Sequence, residues 1–303
     1  MKRAALLLLL LLLPVFDSNP YHTEVLATAA LYALLALGLN IIVGFVGLLH
    51  LGYAAFFAVG AYAYALLNLH LHWPFWVGLP VSGLVAATAA VLLGLPAIRV
   101  RGDYLAIVTL GFGEIVRVVV TNLEQWTGGP NGLMGIAHPM AGPFRFGVDA
   151  RPYYWLLLAL AAVTAWVCAR LRRSRIGLAW LAVKEDELAA GCLGVDAIRM
   201  KLLALALGGC VAGLAGCVFA SKQGTVTPDT FDFVQSVMIL AMVILGGLGS
   251  VSGAICGAVI LSVAPELLRE FSTYRMLLFG LLMIVLMRVR PQGLFGSRPE
   301  GAG

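Results

Sequence analysis

Between Val25 and Ile98 the chain carries no aspartate, glutamate, lysine or arginine. One bilayer crossing takes about 20 apolar residues as α-helix, so this stretch alone accommodates three crossings. Charged residues make up 12% of the whole sequence and apolar ones 61%, whereas a soluble domain carries about 25% charged residues. Too few charges remain to wet a globular surface of this size, which excludes an ordinary cytosolic enzyme. In lipid a helix satisfies its own backbone hydrogen bonds and an open sheet does not. Long aliphatic runs in place of short alternating strands argue against an outer-membrane barrel. The fold class that follows is all-α, a polytopic transmembrane helical bundle.

Apolar stretches fall at about 24–46, 50–69, 76–98, 104–121, 153–170, 201–221, 234–249, 251–266 and 274–289. A further leucine run follows Lys2 and Arg3 and ends at Pro14. That run has the length of a signal-peptide core, but Val15 and Phe16 extend it and no A-x-A cleavage site follows, so the reading here is a retained first span. The total is about ten. With a cytosolic N-terminus, fourteen of the 20 basic residues fall on the inner side and six on the outer. Inner loops are enriched in Lys and Arg, so the count supports an even number of spans with both termini cytosolic.

Residues 1–303 read as a single transmembrane domain with two long loops, an outer one at about 122–152 and an inner one at about 171–200. Five cysteines (Cys168, Cys192, Cys210, Cys217 and Cys256) show no metal-ligand spacing and read as small apolar filler. The inner loop is the more highly charged of the two, from Arg172 and Arg173 through Lys184, Glu185, Asp186 and Glu187 to Arg199. Within it, Asp186 suits a helix N-cap, Glu187 the positive end of the helix dipole, and Gly194 the residue that closes a helix. The expected element is a helix of about two turns. Isolated helices below about 12 residues are marginal in water, so this one should lie against something. Leu188, Ala189, Cys192 and Leu193 make its expected apolar side, and the small Ala189 and Ala190 would allow close approach. A docking helix for a cytosolic partner and a loop helix resting on the membrane both fit this composition.

The pattern Glu187-x-Ala189-Ala190-x-x-x-Gly194 resembles the loop by which bacterial ABC-importer permeases couple to their ATPase subunits, with Leu188 intervening where the glutamate usually precedes the alanines directly. Gly38-Leu39-Asn40 through Gly60-Ala61-Tyr62, Arg101-Gly102-Asp103-Tyr104 through Glu114-Ile115, Thr127-Gly128-Gly129-Pro130-Asn131-Gly132, Gly246-Gly247-Leu248-Gly249-Ser250 and Arg290-Pro291-Gln292-Gly293-Leu294 are similar to segments of the branched-chain amino acid permease family. The resemblance runs from about residue 35 to 296. It implies an ABC importer permease of the bacterial inner membrane that takes up leucine, isoleucine and valine. Its implied partners are a second homologous permease subunit, two ATP-binding subunits and a periplasmic substrate-binding protein. ATP and Mg would be bound by those ATPase subunits, with no cofactor on this chain and no nucleic acid involved.

Glu114 and Arg117 stand three apart and so share a helix face. They read either as contacts for the charged ends of an amino acid or a docking binding protein, or as a structural pair. Asn40, Thr109 and Gln235 are neutral polar residues at membrane depth, able to line a path or to bond between helices, the latter being the better default. Gly249, Gly253 and Gly257 recur every four residues, as do Gly209 and Gly213, and read as smooth packing stripes.

The sequence contains no P-loop lysine motif and no nucleophile beside a base. This chain therefore has no visible energy source of its own. A gradient-driven carrier or channel for a small amphipathic solute is the alternative, and would usually place charges at the bilayer midplane. A subunit driven by separate ATPases through an inner loop needs none there.

Overall fold

The computed structural model describes residues 20–98, 100, 103–141, 144–147, 150–267, 280, 288 and 293–295. Helix α1 (Pro20–Leu39) runs on into a π-helical segment, Asn40–Phe45. After it come α2 (Tyr53–Leu71), α3 (Phe75–Ala97) and α4 (Asp103–Asn122). The short α5 (Glu124–Thr127) and a 3₁₀ turn (Gly129–Asn131) open the first long loop. Helix α6 (Ala150–Arg172) then leads to α7 (Arg175–Glu185) and α8 (Glu187–Cys192) in the second. The chain continues as α9 (Ala197–Gln223), α10 (Phe233–Gly246) and α11 (Val251–Leu267).

Six of these helices are long and apolar enough to cross a membrane, and α10 and α11 are shorter apolar helices. Together they match the eight stretches expected between 24–46 and 251–266. The stretch expected at the leucine run lies outside the described residues, as does that at 274–289 apart from residues 280 and 288.

Helices α1 and α9 form the centre. Helix α9 packs on α3, α2 and α1, and α1 also carries α6, α11 and α10. These contacts are close because glycine permits them. A Cβ on Gly60 of α2 would collide with the backbone of Gly213 on α9, and one on Gly216 would strike the Phe57 carbonyl. Gly209 and Gly213 abut Ala86, Ala90 and Gly83 of α3, so that stripe packs as its spacing predicts. In the other stripe Gly253 and Gly257 lie against Gly246 and Met242 of α10. Gly249 does not belong to it, because it sits at φ +80° in the turn between α10 and α11.

The two ends of the bundle differ. At the basic end, α7 and α8 sit beside the start of α9, and Leu294 and Phe295 donate their amides to the carbonyls of Leu245 and Gly246 at the end of α10. At the opposite end the first long loop is folded. Strand β1 (Leu133–Met134) pairs antiparallel with β4 (Thr225–Val226), and β2 (Met140–Ala141) with β3 (Phe144–Arg145). These short ribbons are the departure from an all-helical chain. Tyrosine hydroxyls tie this loop and its ribbons to the spans: Tyr64 donates to the Ala137 carbonyl at 3.1 Å and Tyr62 to the Val226 carbonyl of β4 at 3.4 Å.

Candidate functional site

The short helix in the second loop forms where its caps place it. The Asp186 carboxylate accepts from the amides of Leu188 (2.8 Å) and Ala189 (3.0 Å), satisfying two of the free donors at a helix start. Gly194 adopts φ +84°, the left-handed turn that ends it. Its orientation differs from the expected one in two respects. Ala190 is buried rather than presented outward, while Leu188 and Leu193 are 70% and 81% exposed. Glu187 is turned inward as well, its carboxylate 2.8 Å from the ammonium of Lys201 on α9, a side chain only 8% exposed. The helix is therefore pinned to α9 through Glu187, with Ala190 buried beneath it, and it offers solvent two leucines with Ala189 between them.

Helix α7 was not legible in the sequence as a separate element. The Ser174 hydroxyl caps its start, accepting from the Gly177 amide at 3.3 Å. It is anchored by Trp180, a fully buried indole that donates to the Met200 carbonyl at 2.9 Å. The Trp180 ring stacks on Phe45 with centroids 6.2 Å apart, and Phe45 is the last residue of the π-helical segment. One turn later, the Lys184 ammonium donates to the Gly44 carbonyl at 2.9 Å. A π segment disturbs the regular i to i−4 ladder and so leaves carbonyls needing other donors. Lys184 supplies one from the loop.

Asn40 opens that π segment and is fully buried. Its side-chain oxygen accepts from the Gly249 amide at 2.9 Å and its nitrogen donates to the Ser250 carbonyl at 3.4 Å. Asn40 thus joins the end of α1 to the α10–α11 turn. A side chain on Gly44 would meet both the Asn40 oxygen and the Gly249 backbone, so glycine is required at the centre of this joint. A continuous set of contacts leads from α8 through α7 and Lys184 to the basic ends of α1, α10 and α11.

The remaining polar candidates are dispersed. Thr109 is buried on α4, where its hydroxyl accepts from the Leu51 amide at 3.0 Å and donates to the Ala106 carbonyl, which fixes the α1–α2 connection against α4. Glu114 and Arg117 pair at 3.0 Å, each more than a third exposed, and Arg117 also faces Asp229 at 3.9 Å. An ion pair so open to solvent stabilises by about 0–1 kcal/mol. Gln235 exchanges hydrogen bonds with Tyr32 of α1 at 3.1 and 3.4 Å, beside a cavity of about 200 Å³ near the end remote from α8. Apart from the Glu114–Arg117 pair, these five residues make no direct contact with one another among the described residues.

With this geometry in view, comparison with known families is decisive. The family described as branched-chain amino acid transport system, permease component, matches residues 21–287. The chain belongs to that permease family. The high-affinity branched-chain amino acid transport system permease protein LivM of Escherichia coli K12 is 43% identical over 300 residues, covering 91% of this chain and 71% of that protein. LivM of Salmonella typhimurium LT2 is similar to the same extent. The autoinducer 2 import system permease protein LsrC of Escherichia coli O157:H7 is 33% identical over 188 residues, 57% of this chain and 53% of its own. No solved structure matches.

In this permease the matched region contains every residue of the α7–α8 surface and of the Asn40 joint. Lys184, Trp180 and Lys201 were the members that sequence reasoning passed over. Their signal was one indole and one ammonium group in a loop otherwise read for its acids and small residues, and a second ammonium at the start of the next span.

Proposed function

We propose that this chain is the transmembrane permease subunit of a bacterial importer that takes up leucine, isoleucine and valine by ATP-driven alternating access. It resides in the inner membrane with both termini cytosolic. Two ATPase subunits, which bind ATP and Mg, dock on the exposed Leu188, Ala189 and Leu193 of α8. A second homologous permease subunit covers the largely exposed apolar face of α4, which carries Tyr104, Ile107 and Ile115. A periplasmic substrate-binding protein delivers solute to the folded loop at 122–152.

The observation that carries this reading is the Lys184 to Gly44 hydrogen bond. It connects the loop that meets the motor to a π-helical joint at the end of the central helix, so a push on α8 reaches α1 without passing through a flexible linker. Closure of the ATPases moves α8 and α7 together, because Glu187, Ala190 and Trp180 fix both to the bundle. The joint of Asn40, Gly44, Gly249 and Ser250 then shifts, moving α1 against α10 and α11. Apolar amino acid side chains suit a path with few fixed charges, since tight binding midway slows release.

Reconstitution of the assembled complex in liposomes tests this. Leucine import should need ATP on the side of the ATPases and be indifferent to proton and sodium gradients. Import that follows an ion gradient without ATP would establish the carrier reading instead. Within the same assay, Leu188→Glu with Leu193→Glu should release the ATPases from the membrane, as neither leucine supports the bundle. ATPases still held by this double variant would remove α8 from the docking role.

A further inference from the structure

The cavity beside Gln235 has a lining graded along its depth. On α1, Thr28, Leu31 and Tyr32 line it, and Glu24 stands one turn before Thr28 on the same face, outside the lining itself. At the mouth Lys222 of α9 forms an ion pair with Glu24, the lysine side chain 10% exposed and the glutamate 49%. Deeper in, the lining is Leu31, Phe57, Leu157, Val218 and Phe219, with the Tyr32–Gln235 pair at one side. A pair of opposite charges thus stands beside a mainly apolar pocket whose wall also carries Thr28, Gln223 and Thr230.

Three further features bear on what fits there. An ammonium has three donors, and among the described residues Lys222 has one partner, Glu24, which leaves donors for a second carboxylate. Gln235 has Tyr32 as its side-chain partner through one contact of 3.1 Å and one of 3.4 Å, so its amide can also serve a ligand. The volume, about 200 Å³, lies below the roughly 300–1,000 Å³ of pockets that hold drug-sized molecules. It suits a molecule the size of one amino acid.

We infer that this cavity is a binding site for a free apolar α-amino acid, held within the permease subunit itself. Its carboxylate takes Lys222 and its ammonium takes Glu24, so the zwitterion replaces the direct ion pair charge for charge. The aliphatic side chain enters among Leu31, Phe57 and Phe219, and Gln235 adds a hydrogen bond from the side. The assignment rests on the proposed substrate class, and adds to it a site that selects for both charged groups after the binding protein has released its cargo.

The test is equilibrium binding of labelled L-leucine to the purified permease–ATPase assembly, with no binding protein added and leucine import by the same preparation measured in parallel. One L-leucine should bind per copy of this chain. Lys222→Met should weaken L-leucine by about tenfold or more, the scale of one lost charge-assisted hydrogen bond, and Lys222→Arg should restore most of it. The same Lys222→Met change should leave leucinamide, which lacks the carboxylate, unaffected. Glu24→Gln should weaken leucine but not 4-methylpentanoate, which lacks the ammonium. A purely structural ion pair would move all these ligands alike, and that outcome would overturn the site. Robust ATP-driven leucine import without binding by this chain would also overturn it and leave the transport function standing. An assembly that imports no leucine at all would instead overturn the function, and the site with it. Co-purification of a phospholipid acyl chain that is lost on filling the cavity with Thr28→Phe would assign the space to lipid and likewise end the proposal.

Discussion

Lys201 is an ammonium more than nine-tenths buried near the start of α9, and Glu187 on α8 is its ion-pair partner. Breaking a buried pair from one side costs about 3–5 kcal/mol, because the remaining charge is left unpaired. With Glu187 31% exposed, water compensates in part, and the cost falls toward the lower end of that range. Glu187→Ala should therefore detach α8 from α9, read as faster proteolysis between residues 185 and 196 in membranes. Glu187→Gln with Lys201→Met removes both charges together and should recover much of the protection. If the double variant is cut as fast as the single one, the pair is not the anchor. The sequence motif singles out Glu187 but says nothing of its direction, since its partner lies beyond the Gly194 turn and no helical period connects them. Asn40 is a similar case. Its polarity at membrane depth is visible in the sequence, whereas its two bonds to the α10–α11 turn depend on packing between distant segments.

At the scale of elements, the spans were legible because lipid imposes a long uncharged run, and that requirement is written directly in composition. The α7 helix was not, for its eleven residues mix charges with Trp180, Leu178 and Leu181, and neither length nor charge separates it from the rest of the loop. The π segment is equally invisible, because Asn40–Phe45 are ordinary span residues and the irregularity exists only in hydrogen bonding. Gly249 was drawn into a helical stripe by its spacing, although its positive φ makes it a turn. These hidden elements are the ones that connect the loop to the membrane. Trp180→Ala removes a buried indole that stacks on Phe45 and bonds to Met200, a loss of about 3–5 kcal/mol for a large-to-small change in a core. The spans do not depend on it, so the variant should still insert and retain its ATPases through the exposed leucines of α8. ATP hydrolysis should continue while leucine import falls at least about tenfold, since that much energy removed from the α7–α1 contact frees the lever from the joint. Import and hydrolysis declining in proportion would mean that α7 does not transmit the stroke.

For the molecule as a whole, the decisive quantity is the side on which each end lies. The bundle separates its two loops cleanly: Lys184 and Gly44 meet at the end bearing α8, whereas β1 and β4 pair at the other. Fixing either end in space therefore fixes both. On the proposed topology, with fourteen basic residues inside against six outside, α8 faces the cytosol, as the proposed docking of ATPases requires. The chain carries its own reporter, because Cys192 lies on α8 and is exposed, while Cys168 and Cys217 are buried. A membrane-impermeant maleimide should leave Cys192 unmodified in intact cells and modify it in inside-out vesicles. Met134, 64% exposed on β1, should show the opposite pattern as Met134→Cys in a Cys192→Ser background, with labelling in intact cells and protection in the vesicles. Because the two sites lie at opposite ends of one rigid helical bundle, a reversed pair of results would invert the whole topology. Helix α8 would then face away from cytosolic ATP, and no arrangement of Lys184, Gly44 and Asn40 could bring the work of an ATPase to the central helix.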